Sequence, residues 1–343
     1  MQSWFRYLSI FIVLAIVVAI PPVINNGYIT TIMIFIGLYA MIALGLCLLM
    51  GYAGQVSLGQ AAFFAIGAYV SGILTATHKQ NPWLAMIAAA IVTAIVAGLT
   101  GTAILRFQGH VLAVATLALN IIVYVVLAEF DSVTGGLSPG LGGIPRLSIG
   151  DFKLTSDTHY YYLIWIILAI AFFLSWNLVH SRMGRALRSM HHFYGGSEEA
   201  AESLGIHTRL LKVQIFVLGA TFAGIAGSVY AHYVTFINPN PFGILLSLEL
   251  LVMVILGGLR NLWGAVIGSA IVVALGEVLR VVVPMVVPGA VGEYQVIAYG
   301  LLMVIVLIML PEGLVQAPSK LLGMKRKLRP GASPHPIATP GGE

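Results

Sequence analysis

Apolar residues run along this chain in blocks of about 20, the length a helix needs to cross a bilayer, and they do not alternate with period two. The blocks cover residues 5–24, 28–50, 61–77, 83–105, 110–129, 159–180, 211–237, 243–256, 262–283 and 294–310. This pattern predicts an all-α membrane protein, a polytopic bundle of about 10 transmembrane helices. A lipid-facing barrel is excluded, because its strands are short and alternate in polarity. The first block follows Arg6 as a signal peptide would, but Ile20-Pro21-Pro22 offers no small-residue cleavage site, so it is read as an uncleaved span.

The polar stretches between the blocks differ in kind. Residues 51–60, GYAGQVSLGQ, form a short glycine-rich break, and residues 134–145, TGGLSPGLGGIP, are too rich in Gly and Pro for a helix. The latter lie in a longer loop, residues 130–158. A second glycine break at Gly257-Gly258 follows the short eighth block. The pair of helices around each break runs in the same direction, a weak internal echo of the kind seen in transporters; any hairpin of Gly-rich spans would look similar.

Composition agrees with the pattern: 59% of the 343 residues are hydrophobic and only 8% charged, against about 25% charged in a soluble domain. The 38 glycines suit helices that approach closely where lipid supplies no hydrophobic drive between them. Cys47, the single cysteine, permits no disulfide and reads as a packed small side chain.

With both termini cytoplasmic, thirteen of the 17 basic residues fall inside the cell: Arg6, Arg106, Arg182, Arg185, Arg188, Arg209, Lys212, Arg260, Lys320, Lys325, Arg326, Lys327 and Arg329. Only Lys79, Arg146, Lys153 and Arg280 fall outside. The positive-inside rule therefore orients the chain and accounts for the net charge of +5 without a nucleic-acid partner. Residues 130–158 become the periplasmic loop. Residues 1–316 form the permease domain, and 317–343 a flexible, basic, Pro-rich tail.

Chemical motifs are missing. There is no Gly-Lys pair and so no phosphate-binding loop, and the aspartates lie singly. Catalysis is not expected, nor a metal site. The ionisable residues inside spans are Glu249, Glu277 and Arg280. Glu277 and Arg280 stand at i,i+3 near the outer end of the ninth block, placed to neutralise each other. Glu249 has no local partner, and either faces a water-filled path or is held by a polar group from another helix. Gln55, Ser57 and Gln60 in the first glycine break, and Asn120 in the fifth block, join Glu249 as candidates for a translocation path. That assignment needs the break to be re-entrant rather than a cytoplasmic turn.

Eight of the 29 charged residues crowd into residues 182–212: Arg182, Arg185, Arg188, Glu198, Glu199, Glu202, Arg209 and Lys212. A connector in a bundle usually has about 2–8 residues, and this one, about 181–210, is far longer. It pairs charges with Ala, Leu and Ile for contact, and reads as a docking surface ending in a short amphipathic helix that Gly205 terminates.

Glu199-Ala200-Ala201-x-x-x-Gly205 resembles the EAA loop of ABC importer permeases. The stretches LGLCLLMGYAGQVSLGQAAFFAIGAY (44–69), TGGLSPGLGGIP (134–145), GRALRSM (184–190), EEAAESLGI (198–206), FVLGATFAGIAGSVYAH (216–232) and SLELLVMVILGGLRNLWGAVIGS (247–269) narrow the resemblance. They are similar to the permeases of branched-chain amino-acid ABC importers, LIV type, M subunit, over residues 27–313. The chain departs from that pattern in extra residues at about 192–196 and in lacking a Pro after the EAA stretch. The resemblance implies a cytoplasmic coupling helix in which Arg185, Glu198, Glu199, Ala200, Ala201, Glu202 and Gly205 meet an ATPase. It further implies a second permease subunit, giving a heterodimer, two ABC ATPase subunits, and a periplasmic or lipoprotein substrate-binding protein. The setting would be the bacterial inner membrane; ATP and magnesium would be bound by the ATPases, with no cofactor in this chain. Similar permeases carry urea, short amides or aromatic acids, and an ion-coupled secondary transporter and a passive channel are the readings from other classes.

Overall fold

The computed structural model describes residues 26–149, 152–190, 196–259 and 261–286, together with 300, 301 and 304. The expected first span, nearly all of the tenth, the C-terminal tail and most of the inserted residues at 192–196 lie outside these. Eight of the ten expected spans fall within them, and all eight are helices. They are α1 (Gly27–Cys47), α2 (Gln60–Ala76), α3 (Pro82–Ile104), α4 (Gly109–Glu129), α6 (Asp157–His180), α9 (Thr208–Val234), α10 (Ile244–Gly257) and α11 (Leu262–Val286). Six of the helices are long and apolar enough to cross a membrane, while α2 and α10 are shorter.

The helix ends follow local chemistry. Asn26, Asn81 and Ser156 each accept a backbone N–H through the side chain, capping α1, α3 and α6. Pro82 supplies the first residue of α3, where its missing N–H costs nothing.

α9 is the central post. It packs most extensively against α2 and α3 and also against α1, which in turn meets α6, α10 and α11. Glycine makes this possible. A Cβ on Gly45 would stand 2.6 Å from the Cα of Gly219, and one on Gly67 would overlap the carbonyl of Gly224, so α1 and α2 lie directly against α9's backbone. Tyr160, Tyr161, Phe63, Phe64 and Phe216 fill the spaces left between the posts. At the periphery, α4 keeps only Leu112, Thr116, Asn120 and Leu127 buried, a narrow inward stripe.

The long loop expected after α4 contains structure that its composition hides. A short helix, α5 (Asp131–Thr134), precedes the glycine-rich run, and two short antiparallel strands, β1 (Ser148–Ile149) and β2 (Phe152–Lys153), form a hairpin further on. Leu141 and Ile237 exchange backbone hydrogen bonds of 2.8 and 2.9 Å, which ties this loop to the end of α9. His232 fixes it from below. Its ring Nδ1 lies 2.7 Å from the Pro145 carbonyl and must donate there, leaving Nε2 to accept from the Ser71 hydroxyl at 2.9 Å. Tyr160 completes the anchor, donating to the His232 carbonyl and accepting from the Leu147 N–H, both at 2.9 Å.

Candidate functional site

The first glycine break sits inside the bundle. α1 loosens into a π-helical turn, Leu48–Tyr52, and the chain then runs without regular structure to Gln60. Gly51 lies so close to the Leu259 carbonyl that a side chain there would overlap it, and Cys47 Sγ is 3.5 Å from the same oxygen. The two glycine breaks recognised in the sequence therefore meet each other. The Leu58 N–H donates to Thr116 Oγ1 at 2.9 Å. Thr116 is seven residues into α4, about 10 Å from its start at 1.5 Å per residue. The break is thus level with the second turn of α4 and not with its first residue. Irregular backbone at such depth is tolerated where protein buries it.

Three of the four candidate path residues in the break and on α4 are almost wholly enclosed: Ser57, Gln60 and Asn120 are each 1% exposed, and Gln55 is 7% exposed. Gln60 and Asn120 have no hydrogen-bond partner on either amide atom, and Gln55 Oε1 is likewise unpartnered. Glu249 stands apart from this group. It lines a cavity of about 610 Å³ between α1, α10 and α11, together with Tyr28, Phe35, Tyr39, Glu277 and Arg280. The pairing expected between Glu277 and Arg280 is loose, at 3.9 Å. Glu277 instead accepts a 2.5 Å hydrogen bond from the Tyr28 hydroxyl, a contact between distant parts of the chain that spacing could not reveal.

The charged segment contains two helices, α7 (Arg182–Met190) and α8 (Glu198–Ser203). α7 turns Gly184, Leu187 and Met190 inward, while Arg185 lies on its exposed side. Ser197 caps α8 by accepting from the Ala200 N–H at 3.3 Å, and Gly205 takes the left-handed conformation just beyond it, at φ 82°. The expected coupling residues divide by direction. Ala201 is buried, and Glu198 turns toward α9 to meet Lys212 Nζ at 2.6 Å, while Glu199, Ala200, Glu202 and Gly205 are exposed. Glu202 also accepts from the Thr208 hydroxyl at 2.5 Å.

Lys212 was the residue this region concealed. Counted among the cytoplasmic charges, it is in fact 2% exposed and lies on the inward face of α9. Gln108, in the turn between α3 and α4, approaches the other Glu198 oxygen at 3.4 Å, and Arg209 donates to the Thr102 carbonyl at 2.9 Å. α8 is therefore held to α9 and beside the α3–α4 turn through named polar contacts. The Glu198–Lys212 spacing of fourteen residues, across a helix break, carried no signal for this pair.

Nothing among the described residues gathers three or more metal-binding side chains. The chain matches the model of the family described as "Branched-chain amino acid transport system / permease component" over residues 28–307. The high-affinity branched-chain amino acid transport system permease protein LivM of Salmonella typhimurium is 27% identical over 335 residues, covering 91% of this chain and 75% of that protein. Its Escherichia coli counterpart is 28% identical with the same coverage. LivH of Salmonella typhimurium is 26% identical over 294 residues, 82% of this chain and 92% of the relative. No solved structure matches. The chain is a multi-pass membrane protein of the family of permease components of branched-chain amino acid transport systems.

Proposed function

We propose that this chain is the M-type permease subunit of an ATP-driven importer that carries branched-chain, hydrophobic amino acids across the bacterial inner membrane. Its partners in this reading are a second permease subunit of the LivH type, two ATPases that bind ATP and magnesium, and a periplasmic or lipoprotein substrate-binding protein. Both termini lie in the cytoplasm, and about ten helices cross the bilayer. The permease makes and breaks no covalent bond. ATP-driven closure of the ATPases would move α8, and the bundle would open alternately to either side.

The observation that carries this reading is α8 itself. It is a six-residue helix with Glu199, Ala200 and Glu202 facing outward, while Ala201 and the Glu198–Lys212 pair fasten it to the central post of the bundle. A passive channel has no use for such a handle, and an ion-coupled carrier would not need a second chain to grip it. Leu204, 80% exposed immediately after the helix, adds an apolar contact at the same place.

Glu199→Lys tests the assignment. The variant should insert in the membrane as well as the wild type, yet lose co-purification of the ATPase and at least tenfold of its leucine uptake. Unchanged uptake would sink the coupling role of α8. Uptake of urea, short amides or aromatic acids in preference to leucine by the wild-type assembly would replace the substrate while leaving the coupling intact.

A further inference from the structure

Three elements converge at the inner end of α2. Gln60 opens that helix, directly after the Leu58–Gly59 segment that rests on Thr116 of α4. Asn120 is one helical turn beyond Thr116 on the same inward stripe. One turn further out, the Tyr124 hydroxyl donates to Asn240 Oδ1 at 3.3 Å, which brings α4 to the turn (Asn240–Phe242) that leads into α10. Ser247, 1% exposed, lies in the first turns of α10, and α10 packs on both α2 and α4. Phe64, four residues beyond Gln60, meets Phe242 with ring centroids 5.2 Å apart. The level just outside the polar residues is therefore aromatic.

The amides of Gln60 and Asn120 and the hydroxyl of Ser247 are all buried without a hydrogen-bond partner. Burying a polar group unpaired is costly, and polar residues inside membrane helices ordinarily act as glue by bonding across a helix pair. These three do not. They come from three different elements and are neutral, so no charge is buried.

We propose that Gln60, Asn120 and Ser247 bind the ammonium and carboxylate of a transported α-amino acid, whose apolar side chain lies toward the Phe64–Phe242 rings. An ammonium needs acceptors and a carboxylate needs donors; each amide supplies both, and the serine hydroxyl supplies either. A neutral site of this kind recognises the zwitterion common to all amino acids and offers no counter-charge to an acidic or basic side chain. It also releases its ligand more readily than a fixed ion pair, as a path that must empty on each cycle requires. The assignment rests on the amino-acid transport proposed above, and it adds where in the bundle the substrate is held.

The test uses the whole assembly, permease pair, ATPases and binding protein, in proteoliposomes supplied with ATP and radiolabelled L-leucine. Asn120→Leu and Gln60→Leu should each lower leucine uptake at least tenfold. ATP hydrolysis should persist, and the melting temperature should be equal to or above that of the wild type, since an unpartnered buried amide is replaced by an apolar group. Uptake within twofold of the wild type in both variants would overturn the site. A melting temperature lowered by several degrees in both would overturn it equally, because the amides would then be holding the fold together. If the wild-type assembly takes up no leucine, the proposed transport falls first and the amino-acid site with it. Wild-type uptake with unaffected variants removes the site alone.

Discussion

The polar groups that join α8 to the bundle are paired, and several of those in and beside the first glycine break are not. Around α8, Glu198 holds Lys212, Glu202 holds Thr208, Ser197 caps the helix, and Arg209 reaches the Thr102 carbonyl. In and beside the glycine break, Gln55, Gln60, Asn120 and Ser247 keep atoms without partners although they too are buried. Desolvation alone predicts no such difference, since a buried polar group loses by being unpaired in either place. In the proposed function the difference is one of mechanical role. A lever transmits force only if its joint is stiff, whereas a path must offer hydrogen bonds that can be made and broken with each passing solute.

The largest effect is expected at Lys212. Lys212→Met keeps the stem's packing but leaves Glu198 alone beside α9. Because the Glu198 side chain is 30% exposed, water meets part of its need, and the loss should be about 1–3 kcal/mol. Thermal unfolding of the purified subunit measures it. The double variant Lys212→Met/Glu198→Met should recover most of that stability, since removing both charges leaves nothing unpaired. It should still transport poorly, because the joint between α8 and α9 is gone. A double variant as unstable as the single would mean that the joint around α8 is packing and not charge, and the contrast with the glycine break would collapse.

Ser197→Ala comes next. It removes the side-chain bond from the Ala200 N–H of α8 to Ser197, and α8 is a helix of six residues that cannot persist on its own propensity. Loss of a cap costs about 1 kcal/mol. Hydrogen exchange of the Ala200 and Ala201 amides should speed up about fivefold, while α9 stays protected. Equal exchange in both proteins would show that Lys212 alone seats the helix, which sharpens the assignment of the joint to a single ion pair.

How much of this was legible in the sequence depends on what kind of signal each feature leaves. Span length is written directly in apolar runs, so α1 through α11 were anticipated within a few residues wherever a block exists. The EAA stretch and its glycine likewise gave α8, because a helix end has a local signature. Depth has none. Whether residues 51–60 form a surface turn or a buried break is decided by contacts with Thr116 and Leu259, 56 or more residues away in the chain. Lys212 misled for the same reason: a lysine beside a charged loop reads as solvated until its partner, fourteen residues earlier, is seen facing it. The loop before α6 hid its hairpin because Gly and Pro forbid helix without saying what replaces it. Its anchor, His232, lies within an apolar span where nothing local marks it.

The smallest effect belongs to the outer pair, and it tests whether proximity of opposite charges is by itself enough to count as pairing. Arg280 Nη1 and Glu277 Oε1 are 3.9 Å apart, and the arginine side chain is 69% exposed. Solvent screens such a pair, so Arg280→Ala should change stability by no more than about 0.5 kcal/mol. Glu277 keeps its stronger bond from Tyr28 throughout. The variant's melting temperature should therefore match the wild type within error at both low and high salt. A salt-sensitive loss would show that charge pairing at the outer rim stabilises the bundle as the Glu198–Lys212 pair does inside. The rule separating stiff joints from exchangeable contacts would then have to be drawn by distance from the path and not by burial.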